Sequence, residues 1–219
     1  MTMVRTGAER VPAAVRVRRI MAVLVALCGF AGGADAVAQP PGPVGPYVVD
    51  FRVATTSLPT DPSFYPAIDS DALIPGRAWG GGIAGHIYPA SIGPARVGIG
   101  AGVLRARGTA SVDGGEDIVA VMTVLAPEVS FNFGSGMGWS YVGAGAGFGQ
   151  MTTRVRGVDD SVARGSPGGV MTVNAGAGAR WFSSRRLAFG FDVRYHRIAA
   201  GEGTPVTSLL VVSAGLSLR

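Results

Sequence analysis

The fold is decided by the stretch LAFGFDVRYHRI, residues 187–198, because its side chains alternate strictly in character. Successive side chains of a β-strand point to opposite faces. On one face the strand would carry Leu187, Phe189, Phe191, Val193 and Tyr195. On the other it would carry Ala188, Gly190, Asp192, Arg194 and His196. The stretch therefore predicts a strand with one face suited to lipid and one polar face.

The same alternation recurs along the chain and predicts eight strands. Their predicted spans are Tyr47–Thr56, Arg77–Tyr88, Ala95–Arg107, Ile118–Phe133, Trp139–Arg154, Val170–Phe182, Leu187–Ile198 and Leu209–Arg219. In the fifth span, Trp139 and Tyr141 have the opposite parity to Val142 and Phe148. We therefore expect either a local kink or a different register in the fifth strand.

The breaks between these spans alternate in length. The long breaks are Ser57–Gly76, Gly108–Asp117, Val155–Gly169 and Ala199–Ser208, and the short ones are Pro89–Pro94, Gly134–Gly138 and Ser183–Arg186. An even number of antiparallel strands with short turns at one end and longer loops at the other is the plan of a bacterial outer-membrane barrel. The predicted fold class is all-β, an eight-stranded antiparallel transmembrane up-and-down β-barrel. A soluble lipocalin-like carrier, with the two faces reversed, is the alternative fold.

The composition agrees with contact with lipid. Of the 219 residues, 47% are hydrophobic and only 15% are charged, below the roughly 25% of ordinary soluble domains. All the basic residues are arginine, and the formal net charge is +5. Five of those arginines precede residue 20, so the excess charge does not indicate a nucleic-acid partner.

The first 38 residues have the order of a cleaved secretory signal peptide. Arginines come first, then the apolar run 20–30, then the small-residue sequence Ala36-Val37-Ala38. We assign residues 1–38 to the signal, 39–46 to a Pro-rich linker and 47–219 to the barrel domain. The only cysteine, Cys28, lies in the signal, so the mature chain has no thiol for a disulfide or a metal.

Charged side chains on the inward faces predict a lumen charge network. It comprises Asp50, Arg52, Glu128, Arg180, Asp192 and Arg194, three charges of each sign. The interior of an eight-stranded barrel is just wide enough for side chains to fill, so we expect a closed lumen rather than an open channel. His86 and His196 also point inward, and we interpret both as structural rather than as metal ligands.

Arginines on the outward faces predict a contact with lipid head groups. Arg77, Arg105, Arg107, Arg154 and Arg197 share the parity of the lipid-facing residues and stand at the loop ends of their strands. Guanidinium groups at that height would meet the phosphates of lipopolysaccharide, which they can hold through two hydrogen bonds at once. Ordinary snorkelling side chains without a specific lipid contact are the alternative.

No pattern in the sequence predicts a cofactor or a metal. The glycine runs 98–102 and 143–147 lie within predicted strands and do not open a helix, as a nucleotide site requires. The long loops hold nine acidic residues without the spacing of a calcium loop: Asp61, Asp69, Asp71, Asp113, Glu116, Asp117, Asp159, Asp160 and Glu202.

The export signal, the eight alternating strands and the ending VSAGLSLR, residues 212–219, resemble one known group. This group is the small eight-stranded outer-membrane β-barrels, the superfamily of OmpA transmembrane domains and Opacity-type proteins. The resemblance implies location in the outer membrane of a Gram-negative-type bacterium. It also implies insertion by the outer-membrane assembly machinery, which reads an aromatic residue at the end of the final strand. Here the chain ends in Arg219.

One branch of such barrels, the lipid A deacylases, is enzymatic and has an Arg-Tyr, a His and then Ser-Asn near the seventh strand. This chain has Arg194-Tyr195-His196-Arg197-Ile198-Ala199-Ala200, so the histidine comes one place early, and the serine of the motif is absent. Acyl transfer by a Ser and His pair therefore lacks its nucleophile. The sequence favours a non-enzymatic barrel with an envelope-structural or surface-contact role, with a lipid-modifying barrel enzyme as the alternative.

Overall fold

A computed structural model describes residues 46–65, 74–111, 117–134, 137–156, 162–166, 168–184, 186–201 and 203–219. Its elements are nine β-strands and one turn of 3-10 helix, Pro62–Phe64. The strands are β1 Tyr47–Ser57, β2 Arg77–Ile92, β3 Ala95–Ser111, β4 Asp117–Phe133, β5 Gly138–Arg156, β6 Val162–Gly165, β7 Gly169–Phe182, β8 Leu187–Ile198 and β9 Thr207–Leu218. The predicted signal peptide and nearly all of the linker lie outside the described residues, as do all the loop acids except Asp61 and Asp117.

Eight of the strands close into a barrel, as the sequence predicted. The order runs β4-β3-β2-β1-β9-β8-β7-β5, and a further pairing of β4 with β5 closes the ring. Every pairing is antiparallel. Closure pairs both edges of each of these strands, so the barrel leaves no open sheet edge to meet lipid. Among the described residues, no helix is long and apolar enough to cross a membrane.

The faces of β8 follow the predicted alternation. Ala188, Asp192, Arg194 and His196 are buried in the lumen, whereas Phe189 and Tyr195 are exposed on the outside. The final strand repeats the pattern, with Val212 and Leu216 outside.

The fifth strand keeps one register against β7 along their whole pairing. Residues 138–150 of β5 pair without interruption with residues 181–169 of β7. Trp139 and Tyr141 are buried while Val142 and Phe148 are exposed, so the strand keeps one parity throughout. The two aromatic residues that break the pattern are therefore inward residues that fill the lumen.

Several strands extend beyond their predicted ends towards the loops. β3 continues past Gly108 to Ser111, and β5 continues to Arg156. The sequence predicts that a loop starts at Gly108. Its hydrogen faces Leu58 and Pro75, and a Cβ there would lie 2.7 Å from the Leu58 side chain. The glycine is thus required by close packing within a strand rather than by a turn.

The predicted loop 155–169 contains the short strand β6, which the alternation in the sequence does not predict. β6 pairs with residues 153–156 of β5 and extends the sheet beyond the end of β7. Only four residues pair, too few to show a clear alternation in the sequence.

The predicted short break 89–94 is mostly strand as well. The register of β2 against β3 shifts by one residue between Ile87 and Ala90. Pro89 lies at this irregularity, where a residue without a backbone N–H is tolerated. The chain then reverses at Gly93, whose φ of 56° lies in the left-handed region.

Candidate functional site

The lumen is filled in three layers. At the loop end, an apolar cap joins Leu58, Phe64 and Tyr65 of the first loop to inward strand residues such as Met122 and Leu209. At the turn end lies an aromatic floor of Val48, Tyr88, Trp139, Phe182 and Ala188. The Arg219 guanidinium lies over the rings of Trp139 and Phe182, 5.6 and 4.7 Å from their centres. Polar side chains occupy the space between cap and floor.

Asp50 of β1 is the centre of one half of this polar layer. Arg180 of β7 donates from Nε and Nη2 to the two carboxylate oxygens of Asp50, at 2.9 and 2.7 Å. Arg52 donates to the same carboxylate at 2.9 Å, and the Ser217 hydroxyl does so at 2.6 Å. Since Asp50 is 1% exposed, these four hydrogen bonds replace its contact with water.

Asp192 and Glu128 form the other half of the layer. Arg194 lies 2.8 Å from Glu128 and 3.4 Å from Asp192. Arg52 contacts Asp192 at 3.4 Å and so joins the two halves. The structure therefore brings all six predicted charged residues into one network.

Neutral side chains complete the network, and the sequence pattern does not single them out. The Tyr141 hydroxyl donates to Asp192 at 2.9 Å and accepts from Arg52 at 2.9 Å. The Arg180 guanidinium lies 4.2 Å from the centre of the Tyr141 ring. Asn174 accepts from Arg194 at 2.7 Å. The unusual parity of Tyr141 was the signal that could have placed it here.

A small cavity lies between the cap and the charged layer. Its volume is about 60 Å³, and its polar lining comes from Arg52, Glu128, Asn174, Asp192, Arg194, His196 and Ser213. This is room for a few water molecules. The Nδ1 atom of His196 and the Nδ2 atom of Asn174 are buried with no hydrogen-bond partner in the protein. His86 stands 3.6 Å from Glu128, and the described residues hold no cluster of three or more potential metal ligands.

The five predicted outward arginines are all exposed on the outer face, at the loop ends of β2, β3, β5 and β8. Three of them, Arg105, Arg107 and Arg154, line one groove of about 750 Å³. Arg77 and Arg197 do not line it. The groove, here named the outer groove, spans residues of β2 to β6. The outer face of the barrel is therefore concave at this position.

Two further arginines of the outer groove were not selected from the sequence. Arg156 and Arg164 also line it, on β5 and β6. Both fell in the predicted loop 155–169, although Arg156 continues the alternation of Arg154. Asp117 is the one described acid in the lining, and its carboxylate accepts a hydrogen bond from Ser111 at 2.7 Å. Within the described parts of the chain, none of the five groove arginines has an acidic partner within ion-pair distance.

The segment that resembles the deacylase motif does not form a Ser and His pair. His196 is 5% exposed inside the lumen, whereas Tyr195 points outward and donates to Ser208 at 2.5 Å. Among the described residues, no hydrogen bond joins His196 to a serine.

The exterior of the barrel is apolar on every side. Exposed large hydrophobic residues occur on all eight barrel strands, among them Val53, Ile83, Val103, Leu125, Phe148, Val173, Phe189 and Leu216. Soluble monomers rarely expose so continuous an apolar surface. A closed sheet with an apolar outside and a charged, filled inside defines a small eight-stranded transmembrane β-barrel of the outer-membrane type.

Comparison with known proteins gives similarities of fold at low sequence identity. No protein-family model and no curated protein matches the chain. Neisserial surface protein A is similar with a TM-score of 0.49 and 12% identity, over 80% of this chain and 97% of that one. The attachment invasion locus protein Ail of Yersinia pestis has a TM-score of 0.47 and 10% identity, over 78% and 95%. The outer membrane protein OprG of Pseudomonas aeruginosa has 0.45 and 12%, over 84% and 98%.

Proposed function

We propose that this chain is an integral outer-membrane barrel without enzymatic activity. In this proposal it has a structural or surface-contact role in the envelope, and its outward arginines hold the phosphates of lipopolysaccharide. One observation carries the first part: the apolar residues face outward around the whole barrel, while the charged residues pair inside it. A water-soluble carrier would need the opposite arrangement. A lumen closed by paired charges also leaves no path for a channel.

The lipid contact rests on the position of the arginines. An arginine facing the middle of a bilayer costs about 2 to 4 kcal/mol, but this cost falls to about 0 to 1 kcal/mol near the interface. Arg77, Arg105, Arg107, Arg154 and Arg197 stand at the loop ends of their strands, where this lower cost applies. In the proposed orientation the loops face outside and residues 47 and 219 lie on the periplasmic side. The arginines then meet the outer leaflet, which carries the phosphates.

Localisation is tested by membrane fractionation followed by a heat-modifiability gel. We expect the protein in the outer-membrane fraction and a folded band that shifts on boiling. Protease added to intact cells should cut in the loop between β1 and β2. Cleavage near Ser184, in the turn between β7 and β8, would instead invert the orientation.

The lipid contact is tested with R105Q/R107Q/R154Q. This variant should fold but retain clearly less lipopolysaccharide on purification than the wild type. The matched control is R186Q, which removes an exposed arginine at the opposite end of the barrel and should leave retention unchanged. Equal retention by the folded triple variant would remove the proposed contact.

A further inference from the structure

The outer groove carries its arginines in two sets that β4 separates. Arg105 and Arg107 lie on β3, and Arg154, Arg156 and Arg164 lie on β5 and β6. Between the sets, β4 contributes the uncharged residues Val119, Val121 and Thr123 to the lining, and Asp117 at the loop end of the groove. The groove therefore has two positive ends and an uncharged floor, with one acid at its loop end.

Strand geometry fixes the distance between the backbones that carry the two sets. The pairings align Arg105 with Thr123, and Thr123 with Gln150. Neighbouring strands are about 4.8 Å apart, so the backbones of β3 and β5 are separated by about 10 Å. One phosphate is too small to occupy both ends fully, whereas two phosphates on one molecule at about this separation match them.

The second set contains like charges that face one another. Arg154 is directly opposite Arg164 in the pairing of β5 with β6, and both side chains are exposed. Like charges directly opposite in a sheet destabilise it. Arg156 is opposite both Asp117 and Val162, and it forms no ion pair with Asp117. An anion held between these three arginines would remove the repulsion.

The surroundings of the groove favour an anion that is part of a lipid. Trp79 lines the groove beside Arg107, its partner in the β2–β3 pairing. Towards the middle of the barrel the same outer face continues with exposed Val103, Leu125 and Phe148. Acyl chains attached to a head group in the groove would lie along this apolar face. A soluble anion would gain nothing from it.

We infer that the outer groove binds the head group of a glycolipid that carries two phosphates about 10 Å apart. Arg105 and Arg107 hold one phosphate, and Arg154, Arg156 and Arg164 hold the other. This inference rests on the proposed lipid contact, and it adds to that contact a defined site and a selectivity. A rim of independent arginines would bind singly and doubly phosphorylated lipids with little difference. The outer groove prefers the doubly phosphorylated lipid.

The experiment measures binding of three probes to the folded protein in nanodiscs of zwitterionic lipid. The probes are lipid A with both phosphates, lipid A with one phosphate, and the water-soluble head group left after complete deacylation of the first. The wild type should bind the first about tenfold more tightly than the second, because the second set of charge-assisted hydrogen bonds is lost. It should also bind the first more tightly than the soluble head group.

The deciding variant is R156Q/R164Q, because neither residue belongs to the arginines of the proposed function. It should lose the preference for two phosphates and bind the doubly phosphorylated lipid about as weakly as the wild type binds the singly phosphorylated one. The matched control R77Q/R197Q removes two outward arginines that do not line the groove, and it should keep the preference.

The contrary outcomes are distinct from one another. If the wild type binds neither lipid above background, the proposed lipid contact itself fails. If it binds both lipids equally, or if R156Q/R164Q keeps the preference, the contact stands and the two-phosphate site is overturned. Equally tight binding of the soluble head group would overturn the assignment to a lipid. A loss of thermal stability in R156Q/R164Q with an unchanged preference would show that these arginines serve the protein's own fold.

Discussion

Asp50 shows how one residue organises the interior of the barrel. Its carboxylate receives Arg180, Arg52 and Ser217, three side chains from three different strands. A buried ion pair contributes little net stability, because desolvation opposes the attraction of the charges. Removing only one partner lowers the stability strongly, because the remaining charge is left buried without compensation. An arrangement of the strands that pairs these charges is therefore much more stable than one that leaves a charge unpaired.

The first prediction concerns Asp50 and Arg180. Asp50→Ala should lower the free energy of unfolding by about 3 to 5 kcal/mol, because it leaves the Arg180 guanidinium buried without its carboxylate. Adding Arg180→Ala to this variant should cost less than Arg180→Ala costs in the wild type. Urea unfolding in detergent micelles, followed by tryptophan fluorescence, measures all four proteins of the cycle. Strictly additive losses would show that the two side chains are not coupled.

The second prediction compares two inward glycines. A methyl group on Gly178 would lie 2.5 Å from the Tyr141 hydroxyl and would also press against the backbone oxygen of Phe191. Gly178→Ala should therefore destabilise the barrel by about 1 to 3 kcal/mol and displace Tyr141 from Asp192. Gly149→Ala is the matched control, since its nearest contact would be Val124 at 3.8 Å. That change should be neutral or stabilising by up to about 1 kcal/mol. Similar unfolding curves for both variants would contradict the steric argument.

At the scale of the elements, the sequence predicts a strand best where burial differs most between its two faces. In β8 every second residue is large and apolar, so its bounds and its faces agree with the prediction. In β5 the lumen holds Trp139 and Tyr141, and an aromatic residue fits either a lipid-facing or a lumen-facing position. Alternation alone therefore could not assign them. For Gly108 the deciding contact comes from Leu58, which is distant in the sequence.

The candidate site likewise has one part that the sequence predicts and one part that it does not. The six lumen charges follow from parity, because charged side chains inside a narrow barrel have to pair with one another. The outer groove does not follow from parity. It depends on β6 extending the sheet past β7, and on the concave shape that results. Both depend on long-range packing, which cannot be predicted from the four paired residues of β6.

The third prediction concerns the first loop. Asp61 caps the short 3-10 helix, and hydrogen bonds from the Ser63 hydroxyl and backbone N–H hold the pKa of its carboxyl below the usual range. Tyr65 follows, fully buried, and its hydroxyl donates to the Pro59 oxygen at 2.6 Å. Burial raises the pKa of the Tyr65 phenol. Its contribution to stability is therefore complete below the ordinary pKa of about 10 and is lost as the pH rises above that value.

Tyr65→Phe removes this ionisation and one hydrogen bond. We expect the variant to be less stable than the wild type by about 1 kcal/mol at pH 8 and to lose less stability between pH 8 and pH 11. The other tyrosines are the same in both proteins, so the difference between the two unfolding midpoints isolates Tyr65. Parallel losses over this pH range would show that the phenol is not buried in the cap.

At the scale of the whole molecule, the lumen is closed more than once along its length. The apolar cap blocks the loop end, the Asp50–Arg180 and Glu128–Arg194 pairs cross the middle, and the aromatic floor blocks the turn end. The cavity between the cap and the charged layer has a volume of about 60 Å³ and does not amount to a channel. Since the layers are built from different residues, weakening one leaves the others in place.

The fourth prediction follows from this repetition. The wild type should show no steady conductance in planar bilayers, and neither should L58A/F64A, in which the cap is reduced, nor D50A/R180A, in which one ion pair is removed. Losing large cap side chains costs stability, about 2 to 5 kcal/mol for each, but it leaves the charged layer intact below. Heat-modifiability gels verify that each variant is folded before its conductance is recorded. A steady channel of porin size in the wild type would overturn the filled lumen. A channel only in L58A/F64A would show that the cap alone closes the barrel and that ions pass the charged layer.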